Sequence, residues 1–234
     1  MTLSATFYAA GYIVGALAFF TMARRRGMAT QVVGAVMVAG LIGGLAAGNL
    51  SQWLFAGSPG KSILGAVAGG YLAVILYKRW IGLNRPTGDL FAVALCAGEA
   101  VGRWGCYFGG CCHGKTTTVS WAVWQHDAWR HPTQIYLSAC CLAILVVLLL
   151  VDARRPPENS LLFLHGMLYS IARFCVEAFR VAPEHYGGLN IAQWACIVGA
   201  VFFGFKLNQA WRRNRQPASA VVTSLRGEKR IPTG

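Results

Sequence analysis

"CLAILVVLLLV", residues 141–151, contains eleven consecutive apolar residues, and the uncharged stretch around it runs from 133 to 151. About 20 such residues are what a helix needs to cross the hydrocarbon layer of a membrane. Six further apolar spans can be drawn near 4–23, 31–55, 62–79, 89–108, 160–179 and 189–208. The 234-residue chain is 56% hydrophobic and only 12% charged. A soluble domain carries about 25% charged residues on its surface, so here lipid must replace the missing polar shell. The expected fold class is all-α, a polytopic integral membrane protein with about seven transmembrane helices.

The net charge of +13 raises the question of nucleic acid, and its distribution excludes that reading. Fifteen of the 21 Lys and Arg residues follow spans one, three, five and seven. They include Arg24, Arg25 and Arg26, then Lys78, Arg79 and Arg85, then Arg154 and Arg155, then the basic C-terminal segment. Only Lys61, Lys115 and Arg130 fall on the other side. Loops rich in Lys and Arg stay cytoplasmic, which puts the N-terminus outside and the C-terminus in the cytoplasm. The first span lacks the basic flank of a cleavable signal, because its arginines follow the apolar run. It is expected to remain as an anchor.

The chain reads as one membrane domain over 1–210 and a basic, disordered cytoplasmic tail over 211–234. The run "GAVMVAGLIGGLAAG" (34–48) suits close helix packing in lipid. The longest external connection, about 109–131, holds Trp121, Trp124 and Trp129 and is expected to form a short amphipathic segment at the membrane–water interface. "RRPPENS" (154–160) reads as a tight inner turn, since Pro156 and Pro157 block helix continuation.

Charges inside such spans need a reason. In "IARFCVEAFR" (171–180), Arg173, Glu177 and Arg180 are spaced to share one helix face. A lone ion at mid-bilayer costs about 2.5–3.5 kcal/mol on insertion scales. Glu177 offsets one arginine and leaves one positive charge over. Beside the bland reading, a structural ion pair at the headgroups, stands an anion site, because guanidinium donors match phosphate oxygens. "LCAGEAVGRWGCYFGGCCHG" (95–114) adds Glu99 and Arg103 at i,i+4. "HPTQIY" (131–136) places His131 and Tyr136 near the outer interface, with Pro132 suited to a helix start.

These segments, "GRWGCYFGG", "HPTQIY", "LYSIARFCVEAFR" and "GGLNIAQW" (187–194), resemble in order and spacing the bacterial prolipoprotein diacylglyceryl transferase family, from about Gly11 to Trp211. The resemblance implies seven spans in the inner membrane, an outward N-terminus and a site open to the periplasmic leaflet. It implies a phosphatidylglycerol donor, a prolipoprotein cysteine as acceptor, and release of glycerol phosphate. Arg103 and Arg173 then match family arginines, with Glu177 as part of the catalytic cluster, while Glu99, Arg180 and Tyr136 join Arg103 and Arg173 in binding the phospholipid. No cofactor or metal is implied.

The chain departs from the family pattern where the acceptor and its proton are handled. Cys106 stands for the family's Asn and Cys111 for its Glu, Leu64 for a histidine of the third span, and Leu137 for a Glu. His113 and His131 become the candidate bases, because neutral imidazole abstracts protons near pH 7; His185 lies near the same end, and His165 reads as structural. Four readings of Cys106, Cys111 and Cys112 stay open: packing thiols, a disulfide, a metal site at a spacing matching no standard pattern, and a catalytic thiol, Cys111, activated by His113 or His131. Two rival functions accompany them, a non-catalytic phospholipid binder or translocator and a redox or metal protein built on the outer cysteines.

Overall fold

A computed structural model describes residues 2–56, 63–181 and 187–215. The described chain forms seven helices and one hairpin: α1 (Leu3–Arg25), α2 (Thr30–Ala56), α3 (Ile63–Trp80), α4 (Gly88–Phe108), β1 (Val123–Gln125), β2 (Ala128–Arg130), α5 (Thr133–Asp152), α6 (Ser160–Glu177) and α7 (Ile191–Arg215). Each apolar span of the sequence forms one helix. Four helices, at Leu3–Arg25, Thr30–Leu54, Thr133–Asp152 and Ile191–Arg215, are long and apolar enough to cross a membrane. Their outer faces carry exposed Leu17, Leu45, Leu150 and Val201, a surface that suits lipid and not water.

The contacts divide the chain into two compact units, Phe19–Leu90 and the pair of segments Met1–Ala18 with Phe91–Gly234. In the first, α2 packs on α3 through small residues. A side chain at Gly43 would overlap Ala73 and the backbone of Gly69, so the two backbones approach as closely as small residues permit. Arg26 pairs with Asp89 at 2.7 Å, and Arg85 donates to the carbonyls of Arg26 and Gly27.

In the second unit two of the polar contacts between helices use backbone acceptors. Ser138 of α5 donates to Ala100 O of α4 at 2.5 Å and Ser4 of α1 to Gly105 O at 2.8 Å. Gly11 abuts α4 so closely that a Cβ there would sit 2.8 Å from Gly98 O. Helix α6 packs on both α5 and α7, and Leu137, Cys141, Leu148 and Leu161 are buried.

Three local expectations change. The Trp-rich connection, expected as a short amphipathic segment, takes the form of a β-hairpin: Trp124 pairs with Trp129 across the strands, and both stay exposed. His126 and Asp127 hold φ of 51° and 57°, the left-handed pair that a two-residue hairpin turn requires. Helix α6 stops at Glu177, so Arg180 lies just beyond it, in an isolated bridge with Gly114. Helix α7 continues through Trp211–Arg215; the remainder of the basic tail, His185 and the side chain of Leu64 lie outside the described residues. The "RRPPENS" turn is present between α5 and α6, with Arg155 and Asn159 at left-handed φ.

Candidate active site

The termini of α4 (its end), α5 (its start), α6 (its end) and α7 (its start) all carry polar residues of one network. Glu99 lies nine residues before the end of α4 and Tyr169 eight before the end of α6. At about 1.5 Å per residue both sit roughly 12–14 Å inside their helix ends. There they meet. Arg103 donates through Nε to Glu99 Oε1 at 2.9 Å and through Nη2 to the same oxygen. Tyr169 donates to Glu99 Oε1 at 2.7 Å, and its hydroxyl accepts from Arg103 Nη2 at 3.3 Å. Arg103 Nη1 has no hydrogen-bond partner among the described residues. A positive edge is thus fixed in place and left available.

One turn further along α6 stands the second charged group. Arg173 Nη2 lies 2.6 Å from Glu177 Oε2, and Arg180 Nη1 lies 3.8 Å from it. Asn190 donates to Glu177 Oε1 at 3.2 Å. Asn190 in turn starts α7 with a capping box: its Oδ1 accepts from the Gln193 amide, and Gln193 Oε1 accepts from the Asn190 amide. The cap that begins α7 therefore also fixes the carboxylate between two arginines. Glu177 is 7% exposed, and Arg180 Nε is buried with no hydrogen-bond partner among the described residues. The charges of Arg180, Glu177 and Arg103 all act on Arg173. Three arginines against two glutamates leave the group with net +1.

The loop between α4 and α5 is stitched to this group. Lys115 caps the end of α6 through Nζ to Ala178 O at 2.9 Å, and its amide bonds Phe179 O at 2.8 Å. Gly114 lies so tightly between strands that a Cβ would come within 2.5 Å of His131 O and 2.8 Å of Phe179 O. Next to it stand the three cysteines, all free. The sulfurs of Cys106, Cys111 and Cys112 lie within 4.8 Å of one another. Tyr8 of α1 donates to Cys106 Sγ at 3.3 Å and lies 3.8 Å from Cys111 Sγ. The Cys112 thiol is pulled well below its usual range by a hydrogen bond with Cys106 and by the charges of Arg180 and Arg103, against burial. Thiols and guanidiniums thus share one electrostatic environment.

The histidines are placed differently. His131 Nδ1 contacts Tyr136 Oη at 3.1 Å, and Trp121 Nε1 donates to the same hydroxyl at 2.7 Å. Both rings pack on Phe179, next to Arg180. His113 stacks on His126 at 4.4 Å. Among the described residues neither His113 nor His131 hydrogen-bonds a cysteine sulfur. His165 is buried and stacks on Tyr169.

Glu99, Arg103, Arg173, Glu177 and Arg180 are therefore brought together, with Cys106, Cys111 and Cys112 beside them, while His113, His131 and Tyr136 form a flanking aromatic layer. Five contributors escaped the sequence reading. Tyr169 precedes Arg173 by four residues on the same helix face. Asn190 and Gln193 carry the N-x-x-Q spacing of a capping box. Gln134 Nε2 holds Cys111 O at 2.7 Å, its place in "HPTQIY" being the only signal. Tyr8 had none.

The chain matches a family model described as "Prolipoprotein diacylglyceryl transferase" over residues 2–207. It is 32% identical to the phosphatidylglycerol–prolipoprotein diacylglyceryl transferase of Gloeobacter violaceus, over 89% of this chain and 87% of that protein. With the proteins of the same name from Clostridioides difficile and Campylobacter curvus it is 30% and 33% identical, over 65% and 64% of this chain and 62% and 57% of theirs.

Proposed function

The chain belongs to the prolipoprotein diacylglyceryl transferase family, and we propose from that premise that its α4–α6 polar group holds the phosphate of the donor during the transfer. It is a membrane transferase. The reaction moves the diacylglyceryl group of phosphatidylglycerol onto the thiol of a prolipoprotein cysteine and releases glycerol phosphate. A C–O bond breaks and its electrons go to the phosphate oxygen, so negative charge grows on the leaving group.

The net +1 of the group is the observation that carries the reading. Arginines already oriented by glutamates, and excluded from water, stabilise developing charge without reorganising. Arg103 presents Nη1 while Glu99 and Tyr169 hold its other nitrogens. Arg180 offers its buried Nε, and Arg173 adds charge from beside Glu177. On this reading Glu99 and Glu177 orient the arginines, and Tyr136 bounds the lipid entrance from the flanking layer. His131 and His113 remain the imidazoles available for proton transfer from the acceptor, through intervening water. The site opens toward the outer leaflet of the bacterial inner membrane, with all seven helices crossing, the N-terminus outside and the C-terminus cytoplasmic. The charge asymmetry of the loops supports that orientation.

The test is release of glycerol phosphate from phosphatidylglycerol vesicles by the purified chain with a lipobox peptide as acceptor. Arg103→Ala and Arg173→Ala should abolish release. A folded chain that binds phosphatidylglycerol yet releases nothing with any thiol acceptor would support the non-catalytic lipid-binding alternative instead.

A further inference from the structure

We propose that Cys106, Cys111 and Cys112 bind one zinc ion whose open fourth position receives the acceptor thiol. This rests on the transferase reading, and supplies the acceptor activation that the substituted positions no longer offer. Zinc takes tetrahedral thiolate ligands at about 2.3 Å, so three bound sulfurs stand about 3.8 Å apart. The three sulfurs here already fall within 4.8 Å, and small side-chain rotations close the difference. Catalytic zinc keeps three protein ligands and one open position, and the count here is three.

The backbone is built around this cluster. Neighbouring side chains on an extended chain point apart, yet Cys111 and Cys112 both reach Cys106. The φ of 60° at Cys112 makes that possible. A left-handed conformation at a non-glycine residue is strained and persists only where its surroundings impose it. Here Gln134 holds Cys111 O and Thr133 holds Cys112 O, both at 2.7 Å. The Tyr8 hydroxyl donates to Cys106, a bond that suits a thiolate bound to metal. Three thiolates on Zn²⁺ carry net −1 and lie in the field of Arg180 and Arg103.

The chemistry follows. A thiol that coordinates zinc gives up its proton, here to water, and remains a nucleophilic thiolate. Its sulfur attacks the glyceryl carbon of phosphatidylglycerol. The S–C bond forms as the C–O bond to phosphate breaks, and the phosphate departs with the electron pair beside the arginines. The product thioether is a weak ligand and leaves the metal. Cys111 is then a ligand and not a nucleophile. Were it alkylated itself, a stable thioether would have to be broken to pass the group on.

The experiment uses the full chain in phosphatidylglycerol-containing nanodiscs, stripped with chelator and reloaded with Co²⁺ alone as an optical substitute for Zn²⁺. One equivalent should give thiolate-to-cobalt charge-transfer absorption, lost in Cys106→Ser, Cys111→Ser and Cys112→Ser and kept in Cys175→Ser, which removes an exposed cysteine elsewhere. Adding a lipobox peptide should alter the cobalt spectrum, and the same peptide with Ser for Cys should not. No phospholipid turnover is needed for this readout. Absence of the band, a band indifferent to all three substitutions, or a spectrum the thiol peptide leaves unchanged overturns the proposal. Chelation of the unsubstituted chain guards against variants that misfold: glycerol phosphate release should fall at least tenfold and return with Zn²⁺. Full release from metal-free protein overturns the zinc site while leaving the transferase reading intact. A peptide-responsive cobalt site without any release does the reverse.

Discussion

Tyr169→Phe removes one oxygen from the centre of the site and isolates what that oxygen does. Its hydroxyl donates to Glu99 at 2.7 Å and accepts from Arg103 at 3.3 Å. The Glu99 and Arg103 side chains are only 23% and 14% exposed, so solvent screening discounts the interaction little. Hydrogen bonds to charged groups contribute about 1.5–3 kcal/mol in soluble proteins. Within membranes measured values average about 0.6 and reach about 1.7 kcal/mol. A loss near 1–1.5 kcal/mol is therefore expected, and at 1.36 kcal/mol per decade this lowers the rate about 5- to 12-fold. Tyr169 is a positioning residue in this scheme, acting through Arg103. The loss should fall on kcat for diacylglyceryl transfer, with KM for the acceptor peptide unchanged. Steady-state release of glycerol phosphate from nanodiscs measures both. In a double-mutant cycle with Glu99→Gln the effects should be less than additive, because both changes release the same arginine. Rates within twofold of the parent, or fully additive losses, would refute the idea that Tyr169 orients Arg103.

Three further outcomes follow from the same geometry. Glu177→Gln leaves Arg173 and Arg180 facing each other without their shared carboxylate; breaking a buried pair costs about 3–5 kcal/mol, which thermal unfolding in detergent should report as a drop of at least about 6 °C. Arg103→Lys keeps the charge but replaces a rigid fork by a single point of donors, so phospholipid binding should persist while transfer falls at least tenfold in the release assay. Gly114→Ala drives a methyl group against His131 O and Phe179 O, and should abolish activity by displacing the loop between α4 and α5; limited proteolysis between residues 109 and 131 should accelerate.

The helices were legible because lipid enforces a simple rule. A run with no outside partner for its backbone must become a helix, and each of the seven apolar runs is helical. The charged pairs were legible for the same reason: Arg173 with Glu177 and Glu99 with Arg103 stand at helical spacing where ions are costly. What stayed hidden depends on chain reversal and on contacts distant in sequence. Arg180 falls on the helical pattern of 171–180, but Lys115 and Gly114 end the helix by pairing with Phe179 and Arg180. The hairpin at 123–130 carries His126–Asp127 where the usual turn signal is Asn-Gly, so its tryptophans read as an interfacial segment. Tyr8 reaches Cys106 across 98 residues, and no periodicity announces that.

The thiol cluster and the arginine group are not two features that happen to be near each other. Lys115 and Gly114 join the cysteine loop to the end of α6 by backbone hydrogen bonds, and Arg180 sits at that junction. The Asn190–Gln193 cap then ties Glu177, and through it both arginines, to the start of α7. A shift of the cysteine loop must therefore move Arg180, and loss of the cap must loosen the carboxylate that orders it. Donor and acceptor chemistry need a leaving phosphate and an attacking sulfur on opposite sides of one carbon, held to within a fraction of an ångström. A rigid connection between the cationic group and the sulfur cluster meets that demand in a way that two independently mobile loops would not.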